Sequence, residues 1–404
     1  MAERFPLERI PSAVHEIARR LIGAGHETWY VGGAVRDVLL ERIRRRPPVG
    51  LEDSIIDIAT SAKPEEVQKL FRRTVPIGIE HGTVAVLDDE NRPHEVTTFR
   101  KDVTTDGRHA EVAFGVSLED DLARRDFTIN AVAVHPVSGE TRDPFDGALD
   151  LEAGVVRAVG DPATRFREDY LRVLRALRFA CTLDFTIEPA TWAAVKAASK
   201  DLGNLSRERV RDEWLKTLGA SAPSTALGMW RDAGVLVEVW PELAALPANL
   251  AMEGLPGDAV LVTAAALVAA GTSVQAAQAA TKRMRFSNHD IDRVKGVIAA
   301  LAGQLPDPND AVAVRRWMSR NRAVAGDAAA VAGGALRKVT ASALDSKIPL
   351  SIGDLAVTGE DLKQAGISAG PKMGEVLRAL LESVLVEPAL NSREALLAKA
   401  KGLA

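Results

Sequence analysis

The spacing of apolar residues changes near Asp150, and that change limits what the chain can fold into. From Thr28 to Phe114, short β-rich runs (TWYVGG, SIIDIAT, GTVAVL, HEVTTF) alternate with the helical stretches AVRDVLLERIRRR and PEEVQKLFRR, which predicts an α/β or α+β head. After Asp150 the period becomes helical: FREDYLRVLRALRFACTL, PATWAAVKAASKDL and SRERVRDEWLKTL follow one another, each opened by a capping residue or a proline. From about Ala220 to Pro349 the chain is rich in Ala and Val and poor in aromatics, which suits closely packed small-residue helices. A Gly-punctuated segment, LAVTGEDLKQAGISAGPKMGEVLRALLESV, then starts a further helical unit. With no repeat period or long Pro/Gly linker, the boundaries 1–150, 151–218, 219–345 and 346–404 are soft by about ten residues.

Composition narrows the class. At 404 residues the chain is long enough for several cores, and 47% hydrophobic with 26% charged residues is ordinary globular usage. No apolar run approaches the roughly 20 residues of a bilayer span. The single cysteine, Cys181, excludes an intramolecular disulfide and a Cys-based zinc site, and the first residues (MAERFPLERI) lack an apolar signal core. The expected setting is the cytoplasm, with no membrane partner. A net charge of −4 means that any nucleic acid must be held by a local basic patch.

Five segments carry candidate chemistry. In Val31-Gly32-Gly33-Ala34-Val35-Arg36-Asp37 a strand runs into paired glycines at the start of a helix. Such a turn lets backbone N–H groups and the helix dipole approach an anion, with Arg36 adding a cation, although a plain turn needing positive φ reads the same way. In Ile55-Ile56-Asp57-Ile58-Ala59-Thr60 a carboxylate is set into an apolar strand, where it is a paired or metal-binding group or a strand-end cap. Glu95 and Thr97 of EVTTFR share one strand face. Glu95 completes a carboxylate cluster if its strand neighbours that of Asp57, and is otherwise an exposed edge residue.

In Asp121-Leu122-Ala123-Arg124-Arg125-Asp126, Arg125 suits a triphosphate and Asp126 a ribose hydroxyl; a surface ion-pair network is the alternative. Last, Asp169 and Arg172 lie three apart on an expected helix, with Arg175 and Arg178 continuing a basic stripe. They are either an i,i+3 salt bridge or a reader of bases. Cytosine and adenine both present an exocyclic amine donor beside a ring-nitrogen acceptor, whereas uracil and guanine present the reverse. A carboxylate acceptor beside a guanidinium donor accepts the first two and rejects the others.

Taken together, YVGGAVRD, IDIATSAKPEEV, IGIEHGTVAVL, EVTTFRKD, DGRHAEV, DLARRDFTINA, DPFDGALDL, VVRAVGDP, REDYLRVLRALRFA and SRERVRDEWLKTL resemble, in order, segments of the class II nucleotidyltransferases. These are the CCA-adding tRNA nucleotidyltransferases and their bacterial poly(A) polymerase relatives. The final LAVTGEDLKQAGISAGPKMGEVLRALL resembles the C-terminal segment of CCA-adding enzymes, while residues 219–345 match only in being helical. The resemblance implies an α+β fold in which a polymerase-beta-like mixed-sheet head, 1–150, is followed by an all-helical neck, 151–218, body, 219–345, and tRNA-binding tail, 346–404. It implies addition of C, C and A to tRNA 3′ acceptor ends from CTP and ATP, with Mg²⁺ as cofactor. Gly32, Gly33 and Arg36 fall at the nucleotide phosphates, Arg125 and Asp126 at triphosphate and sugar, and Asp169 and Arg172 at the incoming base. Arg175 and Arg178 support that helix or the phosphates. The segment from about Lys101 to Glu119, including Arg108, takes the place of the family's flexible loop.

One position departs from the family. Its metal motif is an Asp-x-Asp pair before Ile-Ala-Thr, which puts two carboxylates on one strand face to hold two divalent ions about 4 Å apart. Here the second position is Asp57 and the first is Ile55. Asp53 is on the correct face but roughly 13 Å away along a regular strand. The metal set is therefore expected to be Asp57 with Asp53, through a bulge or bend, or with Glu95 helping. The alternatives are a disabled, nucleotide-binding relative, or an A-adding enzyme or poly(A) polymerase. His289 is the only histidine after His135, so an appended metal phosphohydrolase is not expected, and His289-Asp290 reads as a helix-start cap.

Overall fold

The computed structural model describes residues 4–45, 56–105, 110–250, 252, 254–255 and 257–403. Asp53, Ile55 and Arg108 lie outside them. Two compact units divide between Val239 and Trp240.

The first unit opens with α1 (Ser12–Gly23), β1 (Thr28–Val31) and α2 (Gly33–Arg44), followed by β2 (Asp57–Thr60) and α3 (Pro64–Leu70). Next come β3 (Thr74–Gly78), β4 (Thr83–Leu87) and β5 (Pro93–Thr98), then a hairpin of β6 (Arg100–Thr105) and β7 (Ala110–Phe114). After α4 (Leu118–Ala123) the short strands β8 (Ala133–Val134) and β9 (Thr141–Arg142) complete a sheet in the order β3-β4-β5-β2-β1-β8-β9. The sheet is mixed: β2 and β5 run parallel and every other pair is antiparallel.

Side-chain alternation along these strands makes two cores. Tyr30, Ile58, Val84 and Val96 point to one face, where they meet Val14 and Leu21 of α1, Val35 and Val38 of α2 and Val67 of α3. Trp29, Val31 and Ala59 point to the other and meet Leu118 and Leu122 of α4 with Phe99, Ala131 and Ala133. The head is thus α+β with a mixed sheet, as expected. The segment read as a loop, about 101–119, instead contains the paired strands β6 and β7 and the start of α4, because two extended runs close in sequence can satisfy each other's backbone groups as an antiparallel pair.

Beyond the sheet come α5 (Gly147–Ala153), β10 (Val155–Val156), α6 (Pro162–Glu168), α7 (Leu171–Leu183), β11 (Thr186–Ile187), α8 (Pro189–Ala198), α9 (Arg207–Leu218), α10 (Pro223–Asp232) and α11 (Val235–Val239). Ser206 caps α9 by accepting the Arg209 N–H, and α9 packs along α7. The stretch FREDYLRVLRALRFACTL is not one helix. It breaks at Asp169, whose backbone is extended (φ −153°, ψ 104°), because the Asp169 carboxylate takes up the Leu171 N–H and starts α7 anew.

The second unit is helical: α12 (Ala259–Ala269), α13 (Val274–Arg283), α14 (Asn288–Ala302), α15 (Ala311–Arg320), α16 (Ala325–Ala332), α17 (Gly334–Asp345), α18 (Gly359–Gln364), α19 (Pro371–Val386) and α20 (Arg393–Lys401). Its small residues let helices lie close, as at Ala264, Ala266, Ala277 and Ala280, all buried. Leu362, Leu380, Val384 and Leu396 form a further core near the C-terminus. The cap of α14 is Ser287, which accepts the Asp290 N–H; His289 is exposed in the first turn, so the cap stands two residues before the expected His289-Asp290. Among the described residues no helix is long and apolar enough to cross a membrane.

Gly147 shows how tightly α5 is seated. A Cβ there would overlap the Thr128 carbonyl and come within 2.8 Å of Val132 Cγ2. Gly147→Ala is therefore expected to lose about 1–3 kcal/mol, which lowers the melting temperature by about 2–4 °C per kcal/mol. Calorimetry checks this, and an unchanged midpoint would contradict the packing described.

Candidate active site

The glycine turn is built around a carboxylate. Gly32 ends β1 with φ 81°, a backbone state that favours glycine, and a Cβ on it would run into Asp57 Oδ2. Asp57 stands opposite Val31 at the start of β2, so the missing side chain is the space the carboxylate uses. Gly33 is the first residue of α2 and has no positive φ.

The parallel register then supplies the second carboxylate. Ile58 pairs with Val96 and Ala59 with Thr97, so Asp57 and Glu95, one residue earlier on each strand, are neighbours on the same face. Burial pushes the Asp57 carboxyl up, partly offset by Arg125 and Arg175. Burial and the charge of Asp57 push Glu95 up as well. Two partly buried acids that repel each other are a donor set that a divalent cation would relieve. Among the described residues no cluster of three or more His, Cys, Asp or Glu side chains is positioned for a metal.

These acids open into a cleft of about 360 Å³. Arg100, Arg124, Arg125, Arg172, Arg175 and Arg209 line it with Asp57, Glu95, Asp126 and Asp169, so positive groups outnumber negative ones and a polyanion is favoured. Arg125 is the most available of them. Its Nη atoms make only long contacts, 3.4 Å each, to the Asn130 carbonyl and Asp121, and its buried Nε has no hydrogen-bond partner among the described residues. An unsatisfied buried donor on a cation is a ready partner for phosphate oxygen.

Asp126 does not stand free for a ribose hydroxyl. It is buried, its Oδ1 accepts the Phe127 N–H (2.8 Å) and the Asn130 amide (3.0 Å), and its Oδ2 accepts Arg175 (2.7 Å from Nε). Burial alone would push its pKa up, but Arg175, Asn130 and the nearby Arg172 outweigh it and hold the carboxyl at about 2.

Asp169 and Arg172 both reach the cleft but do not pair with each other, contrary to the i,i+3 expectation, because the break at Asp169 removes it from the helix. Asp169 accepts Arg209 Nη2 at 2.6 Å, while Arg172 donates to Glu168 (2.7 Å) and to the Arg165 and Arg124 carbonyls (3.0 Å each). The members of the basic stripe are paired: Arg175 is held by Asp126, and Arg178 by Glu213 at 2.5 Å. Arg36 and Arg178 do not line the cleft. Arg36 is taken up by Asp37 (2.7 Å) and Asn130 Oδ1 (2.9 Å).

Arg209, Arg100 and Arg124 were not singled out from sequence as cleft residues. The available signal for Arg209 was its i,i+4 spacing with Glu213 in SRERVRDEWLKTL, which puts both on the face of α9 that meets α7. For Arg100 and Arg124 there was none beyond charge.

Because the Asp126 pKa is lower in the folded protein than in the unfolded chain, its ionisation stabilises the fold above about pH 4, and that contribution is lost as the pH falls towards 2. Asp126→Asn is expected to be less stable than the parent by about 2 kcal/mol at pH 7. Urea melts of the two proteins should converge below about pH 2; a gap that does not vary with pH would contradict the assignment.

Comparison with known proteins gives the family. Residues 28–157 match the family model for the poly A polymerase head domain, 184–246 the one described as "Probable RNA and SrmB- binding site of polymerase A", and 260–400 one for tRNA nucleotidyltransferase domain 2. The chain is 38% identical to the CCA-adding enzyme of Levilactobacillus brevis, covering 97% of this chain and 98% of that protein. It is 37% identical to that of Lactiplantibacillus plantarum, covering 95% and 94%. The crystal structure of the Bacillus stearothermophilus CCA-adding enzyme in complex with CTP superposes with a TM-score of 0.76 at 30% identity, covering 98% of this chain and 97% of that one. The chain belongs to the CCA-adding enzyme family of class II nucleotidyltransferases.

Proposed function

We propose that the protein adds C, C and A in turn to the 3′ ends of tRNAs lacking them, taking CTP and ATP and releasing pyrophosphate. The observation that carries this reading is that one cleft holds both an acidic pair, Asp57 and Glu95, and the separate acceptor and donor of Asp169 and Arg172, with arginines lining it. The first suits phosphoryl chemistry and the second a choice of base. The helical segments after the head, 151–218, 219–345 and 346–404, are assigned to the tRNA.

Base choice follows from hydrogen-bond capacity. An arginine has five N–H donors, and Arg172 spends three of them on Glu168 and two carbonyls, which leaves two. Each Asp169 oxygen accepts one bond and has room for a second. Asp169 takes the exocyclic amine of C or A and Arg172 donates to the ring nitrogen; U and G present a carbonyl to the carboxylate and a hydrogen to the guanidinium. Arg125 and Arg175 hold the triphosphate, Asp126 fixes Arg175, and the backbone at Gly32 and Gly33 flanks the phosphates. Arg36 braces this end through Asn130.

Mg²⁺ is the assigned cofactor, held by Asp57 and Glu95; Asp53, the other ligand expected from the sequence, lies outside the described residues. When bound it supplies positive charge that acidifies the tRNA 3′ hydroxyl and stabilises the transferring α-phosphate. The hydroxyl oxygen gives up its proton to solvent and bonds to the α-phosphorus, the bond from that phosphorus to the oxygen bridging to the β-phosphate breaks, and pyrophosphate leaves with the arginines compensating its charge.

Incubating the protein with tRNA lacking CCA and each labelled nucleotide in Mg²⁺ should give incorporation of C and A and not of U or G. No incorporation overturns the proposal, and use of ATP alone on a bare discriminator base assigns A-addition instead. Asp169→Ala and Arg172→Ala should lose the preference for CTP over UTP with smaller effects on triphosphate affinity. Asp57→Asn should lose on the order of 10²–10³ in rate. In EDTA the same variant should melt at or above the parent at pH 7, since a carboxyl raised by burial destabilises the fold once it is ionised.

A further inference from the structure

We infer that the ring of Phe179 is a positioning element for the nucleotide site: it sets the guanidinium of Arg175 in the cleft by cation–π contact and ties the glycine-turn helix to the base-reading helix. This rests on the proposed function for the identity of the ligand, not for the geometry. Phe179 lies on α7 and is 4% exposed. Three guanidinium groups lie over its ring, those of Arg178, Arg36 and Arg175, at 4.0, 5.0 and 5.2 Å from the centroid. Two belong to α7 and one to α2. Phe127 packs edge-on against the same ring at 5.7 Å and 81°.

Three like charges around one side chain need compensation, and each has its own carboxylate: Asp37 for Arg36, Asp126 for Arg175 and Glu213 for Arg178. A polar route joins two of them. Arg36 donates to Asn130 Oδ1, Asn130 donates to Asp126 Oδ1, and Asp126 Oδ2 accepts Arg175. The ring closes this circuit from Arg175 back to Arg36. Of its members, Arg175 and Asp126 line the cleft, while Arg36 and Phe179 do not. A leucine here would fill much of the space but would lack the negative face that attracts the cations. The ring therefore contributes where Arg175 stands and not only the packing of α7.

The test keeps the shape and grades the electrostatics. Phenylalanine with one, two and three ring fluorines is placed at position 179, and CTP affinity is measured by calorimetry in Mg²⁺, with thermal melts to confirm folding. The dissociation constant should rise stepwise with fluorination, reaching about three- to tenfold at three fluorines, the range of one cation–π contact. The same series at buried Phe5 should leave it unchanged. In steady state the loss should appear in KM for CTP and ATP more than in kcat. Phe179→Trp should retain affinity where Phe179→Leu loses it. A flat fluorination series at 179 overturns the inference, as does equal weakening from the Phe5 series. If CTP binding weakens along the series while the parent protein adds nothing to tRNA, the positioning role stands and the proposed activity falls.

Discussion

The parallel pairing of β2 with β5 is the constraint on which the site depends. Every other pairing in the sheet is antiparallel. In a parallel pair both strands begin at the same edge, so a residue at the start of one sits beside the corresponding residue of the other. The Ile58–Val96 register makes those residues Asp57 and Glu95. A slip of one residue would turn Glu95 to the face packed on α1, α2 and α3 and put Val96 beside Asp57. The alternating burial of β5 forbids that slip, since Val96 has its place in the core. The hydrophobic effect thus holds in place a pair of acids that would otherwise move apart.

Around that pair, charge is managed by assignment. Asp126 is committed to Arg175, Glu168 to Arg172, Glu213 to Arg178 and Asp37 to Arg36. Such buried or partly buried pairs contribute little net stability by themselves, because desolvation offsets much of the attraction. They do fix geometry, and losing one partner leaves the other charge exposed to a poor environment. Arg125 is the exception, held only by long contacts, with Asp57 and Glu95 as the acids raised by burial. The Arg125 guanidinium and these two acids all face the cleft, as groups do in a site completed by its ligand.

The break before α7 has the same logic. A continuous helix would place Asp169 and Arg172 on one face and let them satisfy each other. By taking the Leu171 N–H, Asp169 leaves the helix and is held by Arg209 from α9, while Arg172 turns to Glu168 and two carbonyls. Acceptor and donor remain separate, and each keeps capacity for a third party.

The amino-acid sequence by itself determined the α+β head with helices after it, the glycine turn, and the members of the acidic and arginine-bearing segments, since these rest on periodicity and residue type, which are local. The adjacency of Glu95 and Asp57 was conditional on strand order, and the tertiary structure met the condition. It also decided what spacing alone misjudged: the break at Asp169, the hairpin at β6 and β7, the capture of Asp126 by Arg175, and the entry of Arg209 into the cleft. The captures of Asp126 by Arg175 and of Asp169 by Arg209 are competitions between local partners and one brought from 40 or more positions away. Local pattern lists the candidates for a charge, but packing chooses among them, because burial makes one good partner worth more than several solvated ones.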